Sequence, residues 1–335
     1  MPSVSIIIPT NRSRHVLEPC LCSIAQQSCD LRDVEVRVVF NGVATVPHWD
    51  TTRWPFRLIV EQIERGHIGA AKNVALDRAT GDIVILLNDD VFLDADFIEA
   101  HRAAHRNLDQ PAMVLGRSVW RQCERETVFD RMIQNTSMIF FYDKMKPHTW
   151  YGFRHAWNLN LSLPRRYVET LRFDERLGPF FYEDLELAYR LEHEFGLRVW
   201  YAPEALLLHD HRYTLEQYLQ RECAMGQVAP ALWRCNPDCF RATYGADLDE
   251  RYITYCRQFV ANEGRREDEL RSRLDRVVTR RPEELAASAA MQVELMELLY
   301  HAHLPLKRLA FRRGVLSAVE SVSAEAELQT APCSA

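Results

Sequence analysis

Two adjacent carboxylates follow a short apolar run in the first third of the chain. Asp89 and Asp90 follow Asn88 directly after residues 82–87, which have the composition of a strand buried on both faces. Desolvating two charges beside such a strand is costly unless something compensates them. Hard divalent cations take carboxylate oxygens and share their other positions with phosphates. The sequence therefore predicts a metal site here, although a solvated loop at a strand end is an alternative.

A third acidic group lies near the start of a predicted helix over residues 183–195. On a helix, Asp184 shares a face with Ala188 and Leu191, so its carboxylate points inward. It also lies in the first turn, where the helix dipole favours the ionised form. An inward-facing ionised carboxylate is suited to act as a general base. An ordinary helix-start acid would give the same pattern.

Two histidines flank Asp210 after the apolar run 205–208. Strand alternation puts His209 and His211 on the same side, and neutral imidazole is a common metal ligand. A purely structural pair of histidines is an equal alternative. The sequence contains no nucleophile elbow, Walker loop, zinc-ligand spacing or dinucleotide fingerprint.

The elements that must position these residues alternate between strand and helix. Apolar runs predict strands, helical spacing predicts the segments between them, and the pattern beyond Thr214 is helical throughout. This order predicts an α/β fold with a mostly parallel, doubly wound sheet flanked by helices, in which ligands bind outside the carboxyl ends of the strands. We predict one domain over 1–212, a helical C-terminal region over 213–323 and a disordered tail over 324–335.

The composition argues against several classes of protein. The 335 residues carry 41 Lys and Arg against 47 Asp and Glu, and this net charge of −6 argues against a nucleic-acid binder. The longest apolar runs are far too short to span a bilayer. No signal peptide is visible, and we expect the nine cysteines to be reduced thiols. We therefore expect a cytoplasmic protein, either free or peripheral at the inner membrane face.

The ordered set of motifs resembles the family 2 glycosyltransferases of the GT-A fold. The resemblance rests on residues 3–10, 69–73, 79–82, 88–90, 173–175, 182–184, 201–205 and His209. It implies that 1–212 is a GT-A domain that binds a nucleotide-sugar. It also implies inverting transfer of the sugar from a nucleoside-diphosphate donor to an acceptor hydroxyl.

The resemblance also implies roles for individual residues. Asp184 would be the general base, and Asp90 with His209 would bind Mn²⁺ or Mg²⁺ beside the donor diphosphate. The implied donor-binding residues are Pro9, Thr10, Asn41, Lys72, Asn88 and Asp89. The chain departs from the family pattern at Asn41 and Asn88, where the family often has acids, so the donor base stays open.

Acceptor recognition is predicted for the aromatic segment 150–158, because aromatic faces stack on sugar rings. We assign Trp157, Asn158, Glu183 and His211 to the acceptor, which could be a saccharide, a lipid-linked sugar or a small molecule. Ordinary core aromatics are the alternative for this segment. The mixed apolar and basic stretch 304–316 predicts either self-association or a peripheral membrane contact of the C-terminal helices.

Rival functions share parts of this pattern. A nucleotidyltransferase would use the same sheet and metal, but it normally has a glycine-rich loop where residues 9–12 read Pro-Thr-Asn-Arg. A glycoside hydrolase also uses two carboxylates, without requiring a metal. A non-catalytic protein that binds nucleotide-sugars remains a further alternative.

Overall fold

The computed structural model describes residues 2–330 except 44, 47, 65 and 179, with side chains described up to residue 321. Nine strands in this part of the chain form one sheet. They are β1 (Val4–Thr10), β2 (Val34–Asn41), β3 (Arg57–Ile63), β4 (Ile83–Leu87), β5 (Val91–Leu93), β6 (Met113–Trp120), β7 (Trp150–Tyr151), β8 (Asn160–Pro164) and β9 (Val199–His209). Apolar residues of β1, β2 and β4 are almost fully buried and form the centre of the core.

Twelve α-helices accompany the sheet within the described residues. They are α1 (Arg14–Ala25), α2 (Ile68–Asp77), α3 (Phe97–Asn107), α4 (Val128–Asn135), α5 (Arg165–Thr170), α6 (Glu183–Phe195), α7 (Leu215–Cys235), α8 (Pro237–Tyr244), α9 (Glu250–Glu263), α10 (Glu267–Val278), α11 (Pro282–Leu285) and α12 (Ala289–Thr330). Of these, α6 has the predicted bounds. No helix among the described residues is both long enough and apolar enough to cross a membrane.

The strand order is β3-β2-β1-β4-β8-β6-β9-β5, with β7 paired to β9. The α/β class is confirmed, but the sheet is mixed rather than mostly parallel. β1 to β4 are mutually parallel and β6 is parallel to β9, whereas β8 runs antiparallel to both β4 and β6. The reason is that β6 ends and β8 begins at the same edge of the sheet. A parallel pairing would need a crossover connection that returns the chain to the opposite edge before β8 begins. The carboxyl ends of β1, β2, β3, β4, β6 and β9 consequently lie at one edge of the sheet.

β9 is one continuous strand from Val199 to His209, and it includes the apolar run 205–208. Its pairing with β6 shifts where Leu115 faces Tyr201 but Arg117 faces Leu206. This irregularity accommodates Pro203, which cannot donate a ladder hydrogen bond. Gly116 lies at the same point, where a Cβ atom would come within 2.2 Å of the Ala205 carbonyl oxygen. The bulge lets one continuous strand reach His209.

The chain forms two compact units. The first comprises residues 1–122, 140–175 and 183–211 and contains the sheet, and the second comprises 123–139, 176–182 and 212–335 and is helical. Within the second unit, α7 packs on α12 through glycines, since a Cβ on Gly226 would lie 1.9 Å from the Phe311 oxygen. The predicted functional division at residue 212 stays a prediction. The predicted tail, 324–335, falls outside the residues whose side chains are described.

Candidate active site at the carboxyl edge of the sheet

The edge where the parallel strands end gathers side chains that are distant in sequence. Thr10 ends β1, Asn41 ends β2 and His209 ends β9. The acidic motif 88–90 follows β4, and the Asp210 N–H donates to the Asp90 carbonyl oxygen at 2.8 Å. This bond ties the end of β9 to the acidic motif. All the groups described below belong to the first unit.

Asp90 is the centre of a buried polar cluster. Its Oδ1 lies 3.3 Å from His209 Nε2, and its Oδ2 lies 3.3 Å from His211 Nδ1 and 2.8 Å from Arg12 Nη1. Burial alone would raise the pKa of Asp90, but the hydrogen bonds from the two histidines and the charge of Arg12 hold it well below its usual range. The carboxylate is therefore ionised at any physiological pH.

The donor set around Asp90 fits a divalent cation. One ligand atom each from Asp90, His209 and His211 lies within 4.8 Å of the others. A carboxylate with two neutral imidazoles is an ordinary ligand set for a divalent metal. His209 is held in place by Trp120, whose ring centroid is 4.6 Å away. The sequence assigns His211 to the acceptor, whereas the structure brings it to the Asp90 cluster beside His209.

Asp89 is held on the other side of the acidic motif. The Thr10 hydroxyl donates to Asp89 Oδ2 at 2.5 Å and accepts the Arg12 main-chain N–H at 3.1 Å. Burial raises the pKa of Asp89, and the Thr10 hydrogen bond opposes that rise. Arg12, which contacts Asp90 as well, was not among the predicted site residues. Its position two residues after the end of β1 was the available signal.

The remaining predicted donor-binding residues differ in what they contact. Asn41 pairs with the Gly66 main chain, since its Nδ2 donates to the Gly66 oxygen at 3.0 Å and its Oδ1 accepts the Gly66 N–H at 2.9 Å. Each amide atom keeps capacity for one more hydrogen bond. Pro9 and Asn88 are half-buried at the same edge.

Lys72 lies in a buried ion pair, whereas the resemblance assigns it to the donor. Its Nζ is 2.9 Å from Glu183 Oε1, with 5% and 10% of the two side chains exposed. The ammonium also lies over the ring of Phe173, 5.0 Å from its centroid. Next to Lys72, Asn73 holds the segment before α6, because its Nδ2 donates to the Phe173 oxygen at 3.0 Å.

Asp184 is partly exposed beside this ion pair. Its carboxylate accepts the main-chain N–H of Leu185 at 2.8 Å and that of Asn158. Burial, followed by the charge of Glu183, raises the pKa of Asp184 to about 6, against the lowering effect of Lys72. A carboxyl group with a pKa near neutrality can accept a proton from a substrate and later release it to water.

His67 is a buried residue that the sequence analysis did not single out. Its Nδ1 accepts the Gly69 N–H at 2.8 Å, so the imidazole caps α2 and keeps its proton on Nε2 when neutral. Burial lowers the pKa of His67. A Cβ on Gly69 would lie 2.8 Å from that Nδ1, which explains why glycine occupies position 69.

An aromatic cluster lies beside Asn158. Trp157 is half-buried, and its ring packs against Phe140, Phe141 and Tyr142 with centroid distances of 5.1, 5.7 and 5.0 Å. The Tyr142 hydroxyl donates to the Gly116 carbonyl oxygen at 2.9 Å, which fixes the cluster on β6. The Trp157 ring is therefore held by several neighbours although the residue is only half-buried.

A family comparison covers the part of this edge that precedes residue 170, and it leaves out Asp184, His209 and His211. The glycosyl transferase family 2 profile matches residues 5–169. This segment belongs to glycosyl transferase family 2. The match begins in β1 and ends in α5, so it includes the acidic motif and the aromatic cluster, and the predicted family is confirmed.

Two curated relatives and one solved structure are similar to this chain. An uncharacterised glycosyltransferase, YfnE, of Bacillus subtilis is 35% identical over 106 residues, which cover 31% of this chain and 27% of that protein. The validoxylamine A glucosyltransferase of Streptomyces hygroscopicus is 26% identical over 233 residues, covering 59% and 53%. The chain thus spans about a quarter to a half of the length of these relatives.

The solved structure is that of the mannosyltransferase PcManGT from Pyrobaculum calidifontis in complex with GDP-Man and Mn²⁺. It superposes with a TM-score of 0.52 at 19% identity, covering 96% of this chain and 87% of that chain. At this identity the likeness concerns the fold, and the predicted GT-A fold is confirmed.

The buried ion pair gives a first prediction, for Lys72→Met. Burial alone would raise the pKa of Glu183, and Lys72 keeps it below its usual value. Without the ammonium, ionised Glu183 is uncompensated at pH 8 but can protonate by pH 5. We expect the free energy of unfolding in urea to fall by about 3–5 kcal/mol at pH 8 and clearly less at pH 5.

The matched control is Lys144→Met, because that side chain is 74% exposed beside Asp143. It should change the unfolding free energy by less than about 0.5 kcal/mol at either pH. An equal loss of stability at pH 5 and pH 8 in Lys72→Met would contradict the assigned ion pair.

Proposed function

We propose that the protein transfers a sugar, with inversion, from a nucleoside-diphosphate donor to an acceptor hydroxyl, with Asp184 as the general base. One observation carries the proposal. Leu87 of β4 faces Asn160 of β8, so the turn containing Asn158 lies at the edge occupied by the acidic motif. Since the Asn158 N–H donates to Asp184, a carboxyl of raised pKa lies beside this turn, at the edge where we propose that the donor diphosphate binds.

The donor side of this proposal rests on the Asp90 cluster. Asp90, His209 and His211 would hold Mn²⁺ or Mg²⁺, and the two imidazole nitrogens favour Mn²⁺ because Mg²⁺ prefers oxygen ligands. A cation bound there supplies positive charge that stabilises the departing diphosphate. Arg12 adds a second positive charge beside Asp89 and Asp90.

The nucleoside would be bound by residues along the same edge. We assign this contact to Pro9, Thr10, Asn41 and Asn88, of which Asn41 has one donor and one acceptor site left after pairing with Gly66. The names of the relatives, a glucosyltransferase and a mannosyltransferase bound to GDP-Man and Mn²⁺, support a hexosyl donor.

The chemical step follows from the assigned places. The oxygen of the acceptor hydroxyl attacks the anomeric carbon from the face opposite the diphosphate. The new carbon–oxygen bond forms as the bond to the diphosphate oxygen breaks, and the diphosphate leaves with that electron pair. The acceptor proton passes to Asp184. The configuration at the anomeric carbon is inverted, because attack and departure occur on opposite faces.

The acceptor side rests on the aromatic cluster and on the neighbours of the base. We propose that the partly exposed Trp157 ring stacks on an acceptor saccharide. Glu183, which the sequence assigns to the acceptor, is 7% exposed and paired with Lys72. Together with Lys72 it therefore acts on the pKa of Asp184 in our proposal, rather than on the acceptor.

Asp184→Asn tests the proposed base. We expect the turnover number to fall by about 10²- to 10⁴-fold, since an amide cannot accept the proton, while the dissociation constant for nucleoside diphosphate stays unchanged. In the wild-type enzyme, turnover should fall as the pH is lowered through about 6, because protonated Asp184 is inactive. Initial rates of sugar transfer between pH 4.5 and 8.5 measure both effects.

The control for this variant is Asp77→Asn, an exposed acid at the end of α2 that pairs with Arg172. It should keep both the turnover number and the acidic limb of the profile. Loss of nucleotide affinity in Asp184→Asn with turnover spared would show that the role of Asp184 is misassigned.

Asp90→Asn tests the proposed metal site. The variant loses an anionic ligand, so the dissociation constant for Mn²⁺ in the presence of nucleoside diphosphate should rise by at least about tenfold, as measured by calorimetric titration. His209→Ala and His211→Ala, compared side by side, should each weaken Mn²⁺ binding. Asp210→Asn is the matched control, because this exposed carboxylate pairs with Arg121. An unchanged titration in Asp90→Asn would reject the site.

A further inference from the structure

We infer that the side-chain amide of Asn158 binds a hydroxyl group of the sugar at the reaction centre, while its main-chain N–H orients the base Asp184. The inference rests on the proposed function and deepens it. It names a residue that recognises the sugar beside the glycosidic bond that forms in the reaction. The hydroxyl could belong to the transferred sugar or to an acceptor saccharide, and the experiment below separates the two.

The first observation is an unsatisfied donor. Asn158 is 6% exposed, and its Nδ2 is buried without a hydrogen-bond partner among the described residues. An unpaired buried amide donor costs about 1–3 kcal/mol, so such groups are rare in folded proteins without a reason. A ligand hydroxyl that accepts from Nδ2 would remove this cost in the bound state.

Asn160, two residues further along, is a buried asparagine whose side-chain amide has hydrogen-bond partners within the protein. Its Nδ2 donates to the carbonyl oxygens of Arg117 and Ala205 at 3.2 and 2.9 Å, and its Oδ1 lies 2.9 Å from His101 Nε2. Burial lowers the pKa of His101 to about 4, so the imidazole is neutral and this network is closed. The same residue type is thus fully paired at position 160 and open at position 158.

The second observation is the location of the open amide. In the antiparallel pairing of β4 with β8, Leu87 faces Asn160, so Asn158 falls at the level of Asp89. The main-chain N–H of Asn158 donates to the Asp184 carboxylate. Asn158 is therefore placed between the acidic motif assigned to the donor diphosphate and the carboxylate assigned to the acceptor proton. A sugar ring in the act of transfer has to occupy that place.

The chemistry of the amide suits a hydroxyl ligand. A carboxamide can donate through Nδ2 and accept through Oδ1, which matches a hydroxyl group that does both. The surrounding carboxylates would repel an anionic substituent at this position. The inferred ligand is therefore a neutral, hydroxyl-bearing part of a sugar.

The test is Asn158→Leu, which keeps the side-chain volume and the main-chain N–H but removes the amide. Calorimetry with Mn²⁺ compares UDP with UDP-glucose and GDP with GDP-mannose, and steady-state kinetics follow with the donor that binds. If the hydroxyl belongs to the transferred sugar, the nucleotide-sugar should lose about tenfold in affinity while the nucleoside diphosphate loses none. If it belongs to the acceptor, donor affinity should hold and the acceptor KM should rise about tenfold.

The melting temperature separates binding from a structural role. Removing an unsatisfied buried amide should leave the melting temperature of Asn158→Leu unchanged or higher. The control, Asn107→Leu, changes an exposed asparagine at the end of α3 and should alter neither binding nor turnover. Unchanged donor affinity and acceptor KM in Asn158→Leu would overturn the inference, as would a lower melting temperature with all ligands weakened alike.

The inference and the proposed function fail in distinguishable ways. Wild-type protein that binds none of the four nucleotides, or binds nucleotide-sugars without transferring the sugar to any acceptor, would refute the proposed function and the inference with it. Wild-type transfer that Asn158→Leu leaves unchanged in every parameter would refute the inference alone.

Discussion

The site depends on the pairing of buried carboxylates with cationic and hydrogen-bonding groups at one edge of the sheet. Parallel strands end there, and desolvated acids at that edge need partners. Asp90 obtains them from two histidines and Arg12, whereas Glu183 obtains its partner from Lys72. Burial, followed by the charge of Glu183, raises the pKa of Asp184, and no cation among the described residues forms an ion pair with it. The edge thus contains one strongly acidic carboxylate and one that can take up a proton near neutrality.

These opposite pKa shifts match the two demands of sugar transfer. A permanently ionised Asp90 is suited to hold a cation against a diphosphate, and a carboxyl of raised pKa is suited to receive a proton from an acceptor. Asn158 links the two ends, because it lies at the level of the acidic motif and its N–H reaches Asp184. The pairing of β4 with β8 therefore fixes the position of Asn158 relative to the acidic motif.

The sequence predicts some of this arrangement and misses other parts for physical reasons. Strand alternation puts His209 and His211 on the same side, and both approach Asp90 in the structure. Lys72 is different, because its partner Glu183 lies 111 residues away and only the tertiary fold brings the two side chains together. Arg12 was missed for the same reason, since an arginine in a loop carries no local sign of its partner.

The fold likewise has parts that the sequence predicts and parts that it does not. The periodic segments predict α6 and the α/β class. A buried helix face or a buried strand produces a hydrophobic pattern within a few neighbouring residues, so the sequence shows it directly. The direction of β8 depends on where the chain re-enters the sheet, which no local pattern records. The continuity of β9 through Pro203 depends on Gly116 of a neighbouring strand, so it too required the structure.

The most direct measurement is anomalous diffraction at the manganese edge from crystals grown with Mn²⁺ and the nucleoside diphosphate that binds. The account predicts one strong peak within about 2.0–2.4 Å of an Asp90 carboxylate oxygen and of a histidine nitrogen at 209 or 211, next to a diphosphate oxygen. Electron density for a diphosphate at this edge without manganese at Asp90, or manganese bound elsewhere on the chain, would contradict it.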